Sequence, residues 1–531
     1  MHQDNWWRGG AIYQIYPRSF LDTTGNGVGD LAGIESKLEY IASLGVDAIW
    51  ISPFVKSPMA DFGYDVSDYR DIDPLFGNLN QFKSLLARAH ELELKVMMDQ
   101  VWSHSSDEHA WFKESRRSRT NPKSDWYVWA DAKPDGTPPN NWLSVFGGPA
   151  WTWDTGRRQY YLHNFLTKQP DLNHHNPDVQ QAVLDIARFW LDMGVDGFRL
   201  DVCNFLFHHT SLADNPKRAD GQEGPNPRDW QENLYSVSQP ENVNFLTEIR
   251  QCVDEYGGRM LLGEIADEDG LPLLIEYTQE DRLHSGYFFD FLIGDCSATE
   301  IQATLNRWLS AGKGWPTWAL GNHDFARVAN RWGGENPSQH QLQLFAAFQA
   351  CLKGSICIYQ GEELGLTQSK LQFEDLQDPQ GITMWPEPPV RDGCRTPMPW
   401  SSDAPNAGFS SGKPWLPVEP SHLNMAVDIQ EKTNSSMLNY YRALLRWRKR
   451  HSCLITGSME LFELRNNVIA FERANDDENL LCIFNFSSSE QEFTIGPGNY
   501  APLPSPLSGA KFDNSSKVIL APWGASILAG A

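Results

Sequence analysis

Eight short apolar runs, spaced by helix-period segments, constrain this chain more than any other feature. They read AIYQIYPRSF, VDAIWISP, KVMMDQVWSH, VDGFRLDVCNF, RMLLGEIAD, GYFFDFL, PTWALGNHD and SICIYQGEELG. Between them lie stretches such as GIESKLEYIASL, LNQFKSLLARAHEL and VQQAVLDIARFWLDM, whose apolar residues recur three and four apart. Parallel strands can be joined only through a long crossover, so strands alternating with helices specify βαβ units and a parallel sheet. Eight such strands predict a closed (β/α)8 TIM barrel; an open doubly wound sheet is the competing arrangement.

The alternation breaks in three places. After the third run, the chain between VWSH and VQQAVLDI is rich in Trp, Pro, Gly and Asn. Structureless loops of that length are uncommon in compact domains. The stretch is therefore predicted to be an inserted domain, residues 105–173, dividing the barrel into 1–104 and 174–455. Residues 204–242, polar and rich in Pro and Asn, read as a lid or rim loop, and a third excursion spans 366–420. After the helical SSMLNYYRALLRWRKR, the pattern MELFELRNNVIAFERANDDENLLCIFNF reads as strands separated by turn residues. Residues 456–531 are predicted to form an antiparallel β domain.

Composition narrows the partners. The net charge of −24 over 531 residues repels phosphate backbones and anionic lipid, which argues against nucleic acid and membrane surfaces and for a neutral or cationic small molecule. The 21 Trp, 16 Tyr and 27 Phe fill cores in the first instance, but flat rings also stack on sugars. The 8 cysteines are scattered without a C-x-x-C pair, as reduced thiols are, and no signal peptide or run of 18 apolar residues is seen. A cytoplasmic protein is expected.

Active sites of such barrels form at the C-terminal ends of the strands. Those ends supply Asp99 and His104, Arg199 and Asp201, Glu264, and His323 and Asp324. Any one could belong to a structural ion pair, but together they are a poor way to stabilise a fold. A pair of carboxylates about 5–5.5 Å apart performs double displacement at a glycosidic bond. Arg199, two residues before Asp201, points to the same side of the strand and favours the ionised carboxylate.

The motifs DQVWSH, GFRLDVCNF, GEIAD and GNHD, in that order, resemble the four signature regions of the α-amylase family of glycoside hydrolases. WWRGGAIYQIYPRSF, GYDVSDYR, YQGEELGL and RDGCRTPMPW resemble its α-glucosidase and oligo-1,6-glucosidase branch. The resemblance implies a retaining, exo-acting α-glucosidase that needs no cofactor for catalysis and acts on short α-glucosides. Asp201 is the implied nucleophile, Glu264 the acid/base and Asp324 the third carboxylate, gripping ring hydroxyls. His104, His323, Asp65 and Arg391 are implied to hydrogen-bond the same sugar, Tyr64 to stack beneath it, and Phe146 and Phe165 to wall the pocket, although both Phe residues would equally serve the core of the inserted domain. Val202, directly after the nucleophile, is the residue type usual in α-1,6-preferring members.

Two departures bear on metal. Ser103 stands where the family often has a calcium-binding Asn. The loop DTTGNGVGD resembles the branch's metal loop, so Asp22, Thr24, Asn26, the Val28 carbonyl and Asp30 are the candidate ligands of a structural Ca2+ or Mg2+, with one carboxylate fewer than usual. The alternative is a Gly-rich turn held by Asx hydrogen bonds. Competing functions are a transglycosylase using the same residues, a sucrose-cleaving enzyme, a metal-dependent hydrolase, and an inactive sugar-binding barrel. The last predicts loss of one of the three acids, and all three are present.

Overall fold

The computed structural model describes residues 5–221, 223–386, 391–495, 500–513 and 517–530. Eight parallel strands carry the fold: β1 (Ala11–Ile15), β2 (Ala48–Ile51), β3 (Lys95–Gln100), β4 (Gly197–Leu200), β5 (Met260–Ile265), β6 (Ser285–Phe288), β7 (Thr317–Ala319) and β8 (Ser355–Tyr359). Their order across the sheet is β6-β5-β4-β3-β2-β1-β8-β7. The two ends meet: Gly286 bridges Pro316 in parallel, and the Ser285 hydroxyl lies 2.7 Å from that of Thr317. The sheet is thus a closed barrel, which decides against the doubly wound alternative.

Each strand is buried on both faces, so the runs read as continuously apolar and hide the parity of the residues. The structure resolves it. Ala11, Tyr13, Ile15, Ile49, Ile51, Val96, Met98, Phe198, Leu200 and Leu261 pack outward against the helices. Ile12, Ala48, Trp50, Met97, Met260, Leu262, Tyr287 and Cys357 fill the interior. Register then aligns the polar residues of the interior parity. Asp99 pairs with Arg199, Arg199 with Leu262, and Glu264 with Tyr287. The enclosing helices are delimited locally. Asn176 caps the helix Pro177–Met193, with Pro at its first position, and Gly194 ends it in the left-handed conformation at φ 104°.

The segment after β3 forms a small sheet of Trp129–Ala130, Gln159–Leu162 and Trp151–Asp154. Its ends are tied together where His104 bridges Asp171. The 204–242 stretch docks on this insert: Trp142 Nε1 donates to Ala213 O (2.9 Å), and Arg228 Nη1 donates to Leu143 O (2.9 Å). The C-terminal region has a five-stranded and a three-stranded antiparallel sheet. No helix among the described residues is long and apolar enough to cross a membrane.

Candidate active site

The strand ends converge on a cavity of about 180 Å3, lined by Asp61, Tyr64, His104, Phe146, Phe165, Asp201, Val202, Glu264, Asp324 and Arg391 together with Val145, Gln169, Phe205, Ala266, Phe289, Phe325 and Gln380. This is smaller than the roughly 300–1,000 Å3 of pockets for drug-sized ligands and suits a single sugar ring.

Arg199 organises the floor. Fully buried, it places Nη1 2.8 Å from Asp99 and 2.7 Å from Asp201, and Nη2 2.6 Å from Glu264. One planar guanidinium therefore joins carboxylates from β3, the tip of β4 and β5, with its face over Trp50. Burial pushes Asp201 and Glu264 each up to about 7, and the attraction of Arg199 offsets only part of it. Asp99 is likewise pushed up to about 6 by burial. The expectation that Arg199 favours an ionised Asp201 holds for the direction of its own effect, but desolvation is the larger effect. Three acids around one cation share at least one proton near neutrality.

Asp324 behaves oppositely. Burial raises it, but its neighbours outweigh burial and hold it well below the carboxylate range. Its Oδ1 accepts from Arg391 Nη1 (3.1 Å) and Arg395 Nη2 (2.8 Å), and its Oδ2 lies 3.3 Å from His323 Nε2. Burial also lowers His323 to about 3, so its ring is neutral at neutral pH and the two arginines are the lasting cause. With Gln14 Nε2 donating to Nδ1 (2.7 Å), the His323 proton sits on Nε2, facing Asp324 and the Tyr64 hydroxyl (2.5 Å). That hydroxyl reaches Asp99 Oδ2 at 3.1 Å. His104 is lowered to about 4 by burial, and its Nδ1 lies 2.8 Å from the Ser103 hydroxyl.

Arg391 bars one end of the cavity. Its guanidinium binds Asp378 (2.5 Å), Asp61 (3.1 Å) and Asp324 (3.1 Å) and lies over Phe146, 4.9 Å from the ring centre. Phe165 packs against His104, Phe146 and Phe205. Both Phe residues therefore roof the cavity.

Val202 lines the wall in an unusual backbone state. Its φ is +34°, which a β-branched residue adopts only under constraint. The constraint has a visible product: the Val202 amide donates to Glu264 Oε2 at 3.0 Å.

Asp65 is not on the cavity wall. Its carboxylate accepts from Ser57 Oγ (2.8 Å), Ala60 N (2.8 Å) and Asp61 N (3.0 Å), so it shapes the turn that presents its neighbour. Asp61, four residues earlier in ADFGYD, is the acid that faces the cavity. Sequence reasoning also passed over Tyr287, Gln169, Arg395 and the aromatic wall of Phe205, Phe289 and Phe325. Arg395, in RDGCRTP, and Phe205, in GFRLDVCNF, lie within motifs already quoted, and Tyr287 and Phe289 lie in the run GYFFDFL.

The oxygens of the DTTGNGVGD loop accept hydrogen bonds from within the protein. Asp22 Oδ1 accepts from the amides of Thr24 and Gly25 (both 2.8 Å), and Asp22 Oδ2 accepts from Gly27 N (2.7 Å) and Ser410 Oγ (2.5 Å). Asn26 Oδ1 accepts from Val28 N (2.8 Å), and Asp30 accepts from Thr23 N (2.8 Å) and Gly33 N (2.7 Å). These oxygens are the donor set expected to bind Ca2+ or Mg2+. They close an Asx turn and cap the helix Leu31–Glu35. No group of three or more metal-ligating His, Cys, Asp or Glu side chains occurs among the described residues.

Closed barrel, inserted sheet, antiparallel C-terminal sheets and a pocket of paired acids define a class of glycoside hydrolase architecture. The α-amylase catalytic-domain model matches residues 14–457, and the α-amylase C-terminal all-β model matches 463–502. The chain belongs to the α-amylase family. It is 52% identical over 494 residues to a probable α-glucosidase of Rhizobium meliloti (strain 1021), covering 91% of this chain and 90% of that one. It is 37% identical to an oligo-1,6-glucosidase of Parageobacillus thermoglucosidasius, covering 92% of each. A crystal structure of the α-glucosyl transfer enzyme XgtA superposes with a TM-score of 0.97 at 53% identity, covering 99% of both chains. A mutant of MutB in complex with the substrate sucrose gives 0.90 at 32% identity, covering 99% of this chain and 100% of that one.

Proposed function

We propose that this enzyme is a retaining, exo-acting α-glucosidase that removes one glucose from the non-reducing end of short α-glucosides. The observation that carries the reading is the Arg199 fork. One guanidinium bridges Asp201 and Glu264 on the wall of a single-ring cavity, a placement suited to carboxylates about 5–5.5 Å apart. The ion pairs that Arg391 makes with Asp61 and Asp324 on the cavity lining support exo action.

In the first step Asp201 attacks the anomeric carbon. The glycosidic C–O bond breaks, its electron pair goes to the leaving oxygen, and Glu264 protonates that oxygen. Water then enters, Glu264 takes its proton, and the glucosyl–Asp201 ester is released as glucose with retained configuration. Asp324, ionised by its arginines, binds ring hydroxyls more tightly as the ring flattens and so favours the transition state. His104, neutral His323 and Asp61 complete the polar grip, and Val202 contacts the side facing the leaving group, where it favours α-1,6 linkages.

Asp201→Asn should lower kcat/KM by a factor on the order of 10^4 or more, as losing a nucleophile does elsewhere, and NMR of the first-formed anomer should show retention. A variant with full activity, or an inverted product, would overturn the assignment. Initial rates on maltose, isomaltose, nigerose, kojibiose and sucrose, compared side by side, test linkage; a preference for maltose refutes the role given to Val202. The likeness to XgtA supports a second reading, transfer of the glucosyl unit to an alcohol in place of water. Disproportionation products at high substrate concentration would establish it. All eight cysteines are free, which suits the reducing cytoplasm in which we place the enzyme.

A further inference from the structure

We infer that Tyr287 is a positioning residue for Glu264, its phenol fixing the lone pair on which the transferable proton sits; the inference rests on the α-glucosidase reading above. Tyr287 lies on β6 directly beside Glu264 in register, and its side chain is buried in the barrel interior. A phenol has one proton and two lone pairs, whereas a guanidinium only donates. Arg199 Nε and Nη2 lie 3.1 and 2.7 Å from the Tyr287 oxygen, so the phenol accepts from both. Its own proton is left with Glu264 Oε1, 3.1 Å away, as acceptor. Burial raises the phenol well above its ordinary value, which keeps that proton in place.

The other carboxyl oxygen faces the cation. Glu264 Oε2 accepts from the Val202 amide at 3.0 Å and is ion-paired with Arg199 Nη2 at 2.6 Å, which disfavours a proton there. With Tyr287 on one lone pair of Oε1, a proton added to Glu264 goes to the remaining lone pair of Oε1. As that proton leaves for the glycosidic oxygen, the Tyr287 hydrogen bond to Oε1 becomes charge-assisted and strengthens. Tyr287 thus stabilises what Glu264 becomes in the transition state without touching substrate. The other titratable and charged groups facing Glu264 are Arg199 and Asp201 from β4 and its tip, Asp99 from β3, Asp324 after β7 and the Cys203 thiol.

The test is Tyr287→Phe, assayed on two substrates that differ in their need for acid catalysis. For the preferred disaccharide, kcat/KM should fall about ten- to hundredfold, the loss expected for one hydrogen bond to a charged group. For 4-nitrophenyl α-glucoside, whose leaving group departs without a proton, it should fall less than about threefold. The upper limb of the kcat/KM–pH profile should move to higher pH, because the carboxylate has lost a donor. Equal losses on both substrates, or an unmoved upper limb, overturn the inference. 3-Fluorotyrosine at position 287 keeps both Arg199 contacts and serves even if the Phe variant fails to fold. Its more acidic phenol should move the upper limb to lower pH, and no movement overturns the inference. Wild-type protein inert on both substrates would instead sink the α-glucosidase reading itself.

Discussion

Asp61 and Asp65 show how far single residues can be read. Both are acids of one motif, four positions apart, and no periodicity separates them. The turn decides: Asp65 turns inward to hold the amides of residues 60 and 61, and Asp61 is left facing the cavity. Glu362, at the end of β8, is a second buried acid with no such partners. Neither of its carboxyl oxygens has a hydrogen bond among the described residues, and burial pushes it up to about 8 from an ordinary 4.5. A raised acid favours the fold while protonated. Its contribution is therefore fully present below about 4.5 and is lost as pH rises from there to about 8. Glu362→Gln should raise the thermal midpoint relative to wild type more at pH 8.5 than at pH 5. An equal change at both would show that Glu362 is neutral or ionised throughout.

At the scale of elements, helices and strands were legible because each follows a local rule, and their facing was not. The helix Pro177–Met193 is written by an Asn cap, a following Pro, a 3.6-residue apolar period and a terminal Gly. Gly194 is needed for its backbone, since an added Cβ would meet only Leu86 at 3.5 Å, an ordinary contact. Gly194→Ala should therefore cost about 1 kcal/mol in urea unfolding, the penalty for forcing a left-handed residue to carry a Cβ. It should leave kcat/KM unchanged. A loss of activity would mean that the helix position, and not merely its end, depends on Gly194. The barrel strands are different. Buried on both faces, they show no alternation, so GYFFDFL does not reveal which of its aromatic residues points inward. Register makes it Tyr287.

Across the whole molecule, the C-terminal sheets are anchored to the barrel by a buried cation without a carboxylate. Arg473 donates to the carbonyls of Cys351 (2.7 Å), Cys453 (2.7 Å) and Ser458 (2.9 Å), joining the end of the helix Gln339–Cys351, the linking helix Ser452–Thr456 and the first C-terminal strand. Arg473→Met removes the donor from the buried Cys351 carbonyl, at about 1–3 kcal/mol, and weakens the hold on the Cys453 carbonyl, which keeps the Gly457 amide at 3.0 Å. The thermal midpoint should fall by several degrees, while kcat/KM at low temperature stays near wild type because Arg473 is remote from the cavity lining. An unchanged midpoint would show that apolar packing alone holds the interface.

The sequence by itself determined the class of fold and the chemistry of the strand tips. Both are local in the chain: alternating runs need a parallel sheet, and Asp201, Glu264 and Asp324 lie at or just after the ends of strands that must meet. Tertiary structure alone decided that the sheet closes, that Arg391 bars the pocket, that Asp61 and not Asp65 faces it, and that Tyr287 holds Glu264. Except for Asp61 and Asp65, which a local turn separates, each depends on distances between segments tens to hundreds of residues apart, and burial, which moves Asp201 upward and outweighs Arg199, exists only once those segments have packed.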